Sequence, residues 1–420
     1  MNLAAIICEY NPFHNGHLYQ IEKTKQLTGC DGVICIMSGN FTQRAKGAIM
    51  DKYSRAKVAV LSGADVVVNL PTAYSINNAE VFSLSAVKIA NSFKSVKWLS
   101  FGMEEPDVFS LEQLADFFIN EPNEYKLNLK KHLSLGLSFN ESRVKAVKEL
   151  IKDKKVTFKN NKKVIKILTM PNNILALEYV KALKQINSQV APFAIKRIGS
   201  NYNDKKLLGK FSSATAIRNT IYKTNKVKVV KKSLPIHSYN ELKKFIKQNN
   251  VIDNNKLNEY ALYKIRTTKQ SDLKNIYNVT EGLENRLKSV ANLCSDANKF
   301  AKSLQTKRYK ISRTNSIILN SVLNIQSQTV QKIYSLKKLP YIKVLAVNTA
   351  TKQILSSLKC SSNLILRKSD VDNLKHTKFV KELNFIENNS NAVYNLLIGK
   401  NILPAKDIYH SFIKVHKKSE

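Results

Sequence analysis

At 420 residues, 43% of them hydrophobic, the chain is long enough to bury a sizeable core in two or three domains, which excludes a small stapled module and a disordered polymer. Its 68 Lys and Arg against 31 Asp and Glu leave a formal net charge of +37, far beyond what solubility requires, so a polyanion is the natural partner. Five cysteines without a Cys-x-x-Cys spacing argue for a reducing compartment. With no run as long as a membrane span and no signal-peptide pattern, the expected location is cytoplasmic and away from membranes.

The first apolar run, residues 3–8, reads as a buried strand. It stops at Asn11-Pro12, and Gly16 opens an amphipathic segment reaching about residue 28, giving strand, loop, helix. In an open α/β sheet a ligand sits beyond the carboxyl ends of the strands, and the free N–H groups of the following helix attract anions such as phosphate. His14 and His17 fall at that point, three apart, so both imidazoles can face one phosphoryl group and neutralise charge that builds on it. Gly16 between them would let a ligand approach the backbone. The same residues could instead be a metal pair, although no neighbouring Cys or His completes a zinc set, or ordinary histidines at a loop tip.

Further apolar runs at 33–37, 64–70 and 98–101 alternate with helical segments at 51–62 and 79–93, which predicts a doubly wound parallel sheet of the α/β class. The loop 38–47 opens on the same edge, where Gln43 and Arg44 could reach phosphate or RNA or simply be solvated. Asp51 has the character of a helix N-cap, and Lys52 and Arg55 would share one helix face. Gly102 ends the fourth strand, either as a turn glycine or as backbone that a ligand can approach. Residues 105–166 read as a helical, basic insertion whose Lys130-Lys131, Lys154-Lys155 and Lys162-Lys163 are solvated faces or an RNA track. A capped helix follows at 171–183, with Asn172 at its start, and a fifth strand at 192–197 leaves Arg197 at its carboxyl end. In residues 211–218, hydroxyls at a helix start, Ser213 and Thr215, precede Arg218 by a turn, a pattern suited to a triphosphate.

Downstream, helices are expected at 239–247, 256–267, 283–306, 330–336 and 353–358, with strand-like runs at 341–347 and 364–367. Residues 221–420 carry 37 Lys and Arg against 13 Asp and Glu, a net of +24, whereas residues 1–100 have 10 against 6. That asymmetry suggests a pocket-bearing domain joined to a basic docking surface, with codon bias toward Lys as the bland explanation for part of it. Lys307, Arg308 and Lys310, beside Tyr309, and the terminal lysines at 414–418 are candidate RNA contacts.

The stretch Ile7-Cys8-Glu9-Tyr10-Asn11-Pro12-Phe13-His14-Asn15-Gly16-His17-Leu18-Tyr19-Gln20 resembles the signature of the His-x-Gly-His nucleotidyltransferases. With Met37-Ser-Gly-Asn-Phe-Thr-Gln-Arg44, Asp51-Lys-Tyr-Ser-Arg-Ala56 and Phe211-Ser-Ser-Ala-Thr-Ala-Ile-Arg218, the chain resembles one member family closely, the bacterial tRNA(Met) cytidine acetate ligases. The family pattern has a glycine after the arginine where this chain has Ala45-Lys46. The resemblance implies a Rossmann-like ATP-binding catalytic domain, residues 1–222, and a mainly helical, basic tRNA-docking domain, residues 223–420. It further implies catalysis by His14 and His17, and ATP contacts from residues 7–20, Gly102, Asn172, Arg197, Ser213, Thr215 and Arg218. The implied reaction joins acetate to ATP as acetyl-adenylate, then acetylates N4 of the wobble cytidine of elongator tRNA(Met). Mg2+ on the phosphates suits that chemistry, but no carboxylate cluster in the sequence identifies its protein ligands. Two other functions share these residues: an adenylyl- or cytidylyltransferase acting on a small cofactor precursor, and a non-catalytic RNA-binding protein on a nucleotide fold.

Overall fold

The computed structural model describes residues 1–199, 207–248, 250–306, 309, 311–358, 360–367, 369–370, 373–374, 378–398 and 411–416. Strands β1 (Leu3–Cys8), β2 (Gly32–Ser38), β3 (Val66–Leu70), β4 (Val96–Met103) and β5 (Ala191–Lys196) lie parallel in the order β5-β4-β1-β2-β3. Their near-continuous apolar sequences follow from cover on both faces. One face, with Ala4, Ile6, Val33, Cys35 and Val67, packs against Ile21 of α1 (Asn15–Thr28) and Ala56 and Val58 of α2 (Lys52–Leu61). The other, with Leu3, Ala5, Ile34, Ile36, Val66 and Val68, is covered after α3 (Thr72–Ser75) by α4 (Ala79–Asn91) and, over β4, by the helix Pro171–Gln185. The insertion is helical as expected: α5 (Val108–Asn120), α6 (Asn123–Ser134), α7 (Phe139–Lys152) and α8 (Asn161–Thr169) precede α9 (Pro171–Gln185). Because chain direction across the sheet reverses between β1 and β4, a crevice opens at the carboxyl ends of these two strands.

Downstream of α10 (Ala214–Thr224) the chain is mostly helical, but it also returns to the sheet. Strand β6 (Tyr341–Asn348) pairs antiparallel with β3, and β7 (Asn363–Ile365) and β8 (Ile413–Val415) pair with β6. The expected boundary near residue 222 thus lies between two halves that share one sheet and one continuous core. The single helix predicted over 283–306 is two, Leu283–Leu293 and Ala297–Ser303, because Asp296 accepts from the N–H groups of Asn298 and Lys299 and starts a new helix. Helices Ile311–Leu323 and Lys378–Leu397 were not read from the sequence. The second hides its period because Glu387, Ser390 and Asn391 occupy buried positions.

Candidate active site

Helix α1 begins with reciprocal caps made by two imidazoles. His14 Nδ1 accepts from the Gly16 N–H at 3.1 Å, and His17 Nδ1 accepts from the His14 N–H at 3.2 Å. The rings stack with centroids 3.6 Å apart and planes 16° from parallel. Since each Nδ1 is an acceptor, these bonds assign the ring proton of each neutral imidazole to Nε2. Burial, then the positive charges of Arg197 and Arg218, pushes His14 down to about 3; burial, then His14 and Arg197, holds His17 well below its ordinary range. Near neutral pH the cleft therefore carries two uncharged N–H donors beside guanidinium charge.

The loop leading to this turn is held from several sides. Tyr10 adopts φ 48°, a left-handed conformation costing a residue with a Cβ about 1–2 kcal/mol. Its ring packs 4.6 Å from Phe13 and 4.9 Å from His17, with its hydroxyl 3.3 Å from Cys35 Sγ, contacts that offset the strain. Glu9 Oε1 accepts from the Gln43 N–H, and Asn11 Oδ1 from the Ile49 N–H, fastening the loop to its neighbour. Asn15 Nδ2 donates to the carbonyls of Lys210 and Lys232, both at 2.9 Å. Gln20 donates to the Ser100 carbonyl at 3.4 Å and Thr24 bonds Ser100 at 2.7 Å, docking α1 on β4.

The cleft, about 490 Å³ including its mouth, is lined by His14, Gly16, His17, Tyr19, Gln20 and Gly102 from one side and by Ile195, Lys196, Arg197, Ile198, Phe211, Ser212 and Ser213 from the other. Eight of the residues named from sequence therefore meet here. Ile195, Lys196, Ile198, Phe211 and Ser212 were missed, although each lies within two residues of Arg197 or Ser213 and proximity was the available signal. The two glycines serve side chains. A Cβ on Gly16 would stand 3.0 Å from His14 Cε1, and one on Gly102 3.0 Å from Arg197 Cγ, so each glycine leaves room for a side chain that lines the cleft.

Other expected residues stand behind the lining. Ile7, Cys8, Glu9, Tyr10, Asn11, Pro12 and Phe13 form the strand end and loop, Leu18 packs under the sheet, and Asn15 ties the helix start. Arg218 donates to the Asn11 carbonyl and, at 3.2 Å, to Thr215 Oγ1, so both brace the loop. Ser213 caps α10, accepting from the Ala216 N–H at 3.1 Å. Asn172 donates to Glu104 at 2.7 Å, outside the cleft lining. Lys52 and Arg55 are buried: Arg55 donates to the carbonyls of Met50, Glu9, Ser38 and Gly39, and Lys52 faces Glu387 at 3.7 Å. Arg44 is exposed in its loop, and Ala45 takes φ 52°, the backbone shape a glycine would supply. Lys307, Arg308 and Lys310 lie outside the described residues. Among the described residues, no group of three His, Cys, Asp or Glu is arranged to hold a metal ion, and no helix is long and apolar enough to cross a membrane.

The family model for HIGH nucleotidyl transferases matches residues 1–406. A curated relative from Clostridium novyi, named tRNA(Met) cytidine acetate ligase, is 37% identical over 87% of this chain and 89% of its own length. Another of that name, from a Thermoanaerobacter species, is 35% identical over 99% of this chain and 100% of its own. This chain belongs to the tRNA(Met) cytidine acetate ligase family. Solved structures of Thermotoga maritima TmcAL agree in fold: the apo form has a TM-score of 0.90 and the form bound with alpha-thio ATP 0.89, each at 28% identity over 99% of this chain and 100% of that one.

Proposed function

We propose that this protein is an ATP-dependent ligase that activates acetate as acetyl-adenylate and transfers the acetyl group to N4 of the wobble cytidine of elongator tRNA(Met). The observation that carries the reading is the pair of stacked imidazoles, each with Nδ1 bound to backbone and Nε2–H left as a donor at the start of α1. An acetate oxygen is already a nucleophile, so its attack on the α-phosphorus needs positioning and charge neutralisation more than a base. As the new P–O bond forms and the bond to pyrophosphate breaks, the Nε2–H groups, the N-terminus of α1 and Arg197 face the charge that shifts among phosphoryl oxygens. Because these donors are preorganised by backbone hydrogen bonds, little reorganisation accompanies the step. In transfer, the cytidine amine forms a C–N bond to the acetyl carbon, AMP leaves, and the amine releases a proton.

Residues 1–222 are proposed to supply the ATP site and residues 223–420 the larger share of tRNA docking, in keeping with the net +24 of residues 221–420. Magnesium would accompany the ATP phosphates; the described residues offer it no cage of side chains. A small-molecule nucleotidyltransferase would have no use for the basic excess, and a non-catalytic RNA binder no use for two oriented donors. Mass spectrometry of tRNA nucleosides after incubation with ATP and acetate is the test: N4-acetylcytidine that requires both substrates is expected, and its absence overturns the reading.

A further inference from the structure

The described residues 207–240 hold seven Lys and Arg and no Asp or Glu. Five of the seven are Lys223, Lys226, Lys228, Lys231 and Lys232, all exposed, at the end of α10 and in the 3-10 turns Val227–Ser233. Val227, Val230 and Ser233 recur every third residue and are buried, which fixes this short segment to the body and turns its lysines outward. None of these five lysines forms an ion pair among the described residues, whereas Lys131, Lys163 and Lys166 of the insertion face Glu149, Asp107 and Glu105. The segment is joined to the cleft by direct bonds. Ser233 donates to Ser212 at 3.0 Å, Ser212 lines the cleft, and Asn15, one residue from His14, holds the carbonyl of Lys232. A cluster of like charges is unfavourable by itself and becomes favourable when a polyanion releases its counterions there. Tyr222, 41% exposed at the head of the run, adds an aromatic face on which an unpaired base can stack.

We infer that the lysine-bearing segment 223–232 is the phosphate rail of the cleft, binding the RNA strand that presents its cytidine to the acetyl group. This rests on the reading of an RNA acceptor given above and names a surface other than the candidate RNA contacts singled out from the sequence. Partners of other classes fit less well: the segment is bonded to Ser212 of the cleft lining and to Asn15 beside His14, and a membrane surface could not deliver an amine there.

The test is a triple variant, Lys226→Gln, Lys228→Gln and Lys231→Gln, compared with Lys131→Gln, Lys163→Gln and Lys166→Gln of the insertion, for binding of tRNA(Met) transcript across a salt series. The rail variant is expected to lower affinity on the order of ten-fold or more and to reduce the log–log salt slope by about 1 for each phosphate it no longer neutralises. Acetate-dependent ATP–pyrophosphate exchange should remain at the wild-type level, and the insertion variant should keep the wild-type slope. Unchanged affinity and slope in the rail variant overturn the inference, as does an equal loss in the insertion variant. Loss of binding to phosphatidylserine vesicles with tRNA binding intact overturns it in favour of a membrane surface. Should the wild type make no N4-acetylcytidine, the functional reading fails, while the salt series on tRNA still decides the rail.

Discussion

Two buried polar constellations lie at the carboxyl edge of the sheet, and they differ in where their hydrogens point. At the end of β1, the imidazoles of His14 and His17 spend their Nδ1 atoms on the backbone and line a cleft. Beyond β3, Glu387 of helix Lys378–Leu397 accepts from the Thr72 N–H and from Asn69 Nδ2, and sits 3.7 Å from the Lys52 ammonium. Around it Asn391 accepts from Asn40, which accepts from the Lys52 N–H, and Tyr394 donates to the Ala48 carbonyl. Lys52 is 1% and His14 9% exposed, so the burial of a polar side chain does not by itself distinguish a site from a seam. Orientation does: the seam closes on itself, and the histidines present donors to a cavity.

The comparison breaks if activity and stability fail to separate between the two. His17→Ala should reduce acetate-dependent pyrophosphate exchange on the order of a hundred-fold or more, with His14→Ala close behind, while tRNA affinity stays near the wild-type value. A double variant that turns over normally would remove the histidines from the mechanism. Glu387→Ala should instead cost about 3–5 kcal/mol in urea unfolding, because it removes a buried carboxylate that accepts from Thr72 and Asn69 and faces the Lys52 ammonium, with exchange per folded molecule within a few-fold of wild type. Replacing both charges, Lys52→Met with Glu387→Leu, should recover most of that loss, since two apolar groups leave no uncompensated charge. If the double variant is as unstable as the single, the polar network rather than the ion pair holds the helix.

The smallest effect concerns protons. His14 is depressed to about 3 in the folded protein against an ordinary value near 6.5, so the unfolded chain takes up the proton first as pH falls. Its contribution to stability is therefore full above about pH 6.5 and is lost progressively from there toward pH 3. The wild type minus His14→Gln difference in unfolding free energy should shrink between pH 7.5 and pH 5. A difference independent of pH would mean that the imidazole is not held neutral.

The sheet was legible because buried parallel strands announce themselves as short apolar runs, such as the five residues of β3, and because β1 to β5 alternate with helices. The turn at His14 was legible for a related reason: a strand end, a helix start and two imidazoles at fixed spacing leave few arrangements. Arg218 was assigned to phosphate because its position a turn after Ser213 and Thr215 is visible in sequence, but its bond to the Asn11 carbonyl joins residues 207 apart and leaves no local trace. Helix Lys378–Leu397 escaped for the reason it matters: polar residues facing inward erase an amphipathic period. The lysines of 223–232 were not singled out from the sequence, which shows charge and not what the charge faces.

Strand β3 has a consequence for how the protein is made. All five of its residues are buried, and among the described residues its outer edge is closed by β6. During synthesis roughly 270 residues separate the two strands, so at about 5–20 residues per second the edge stays open for on the order of 15–50 seconds. A bare, apolar edge strand templates pairing with other chains. The newly made amino-terminal half is thus an aggregation-prone intermediate in the cell, whose lifetime is set by ribosome speed and whose protection falls to chaperones until residue 348 emerges.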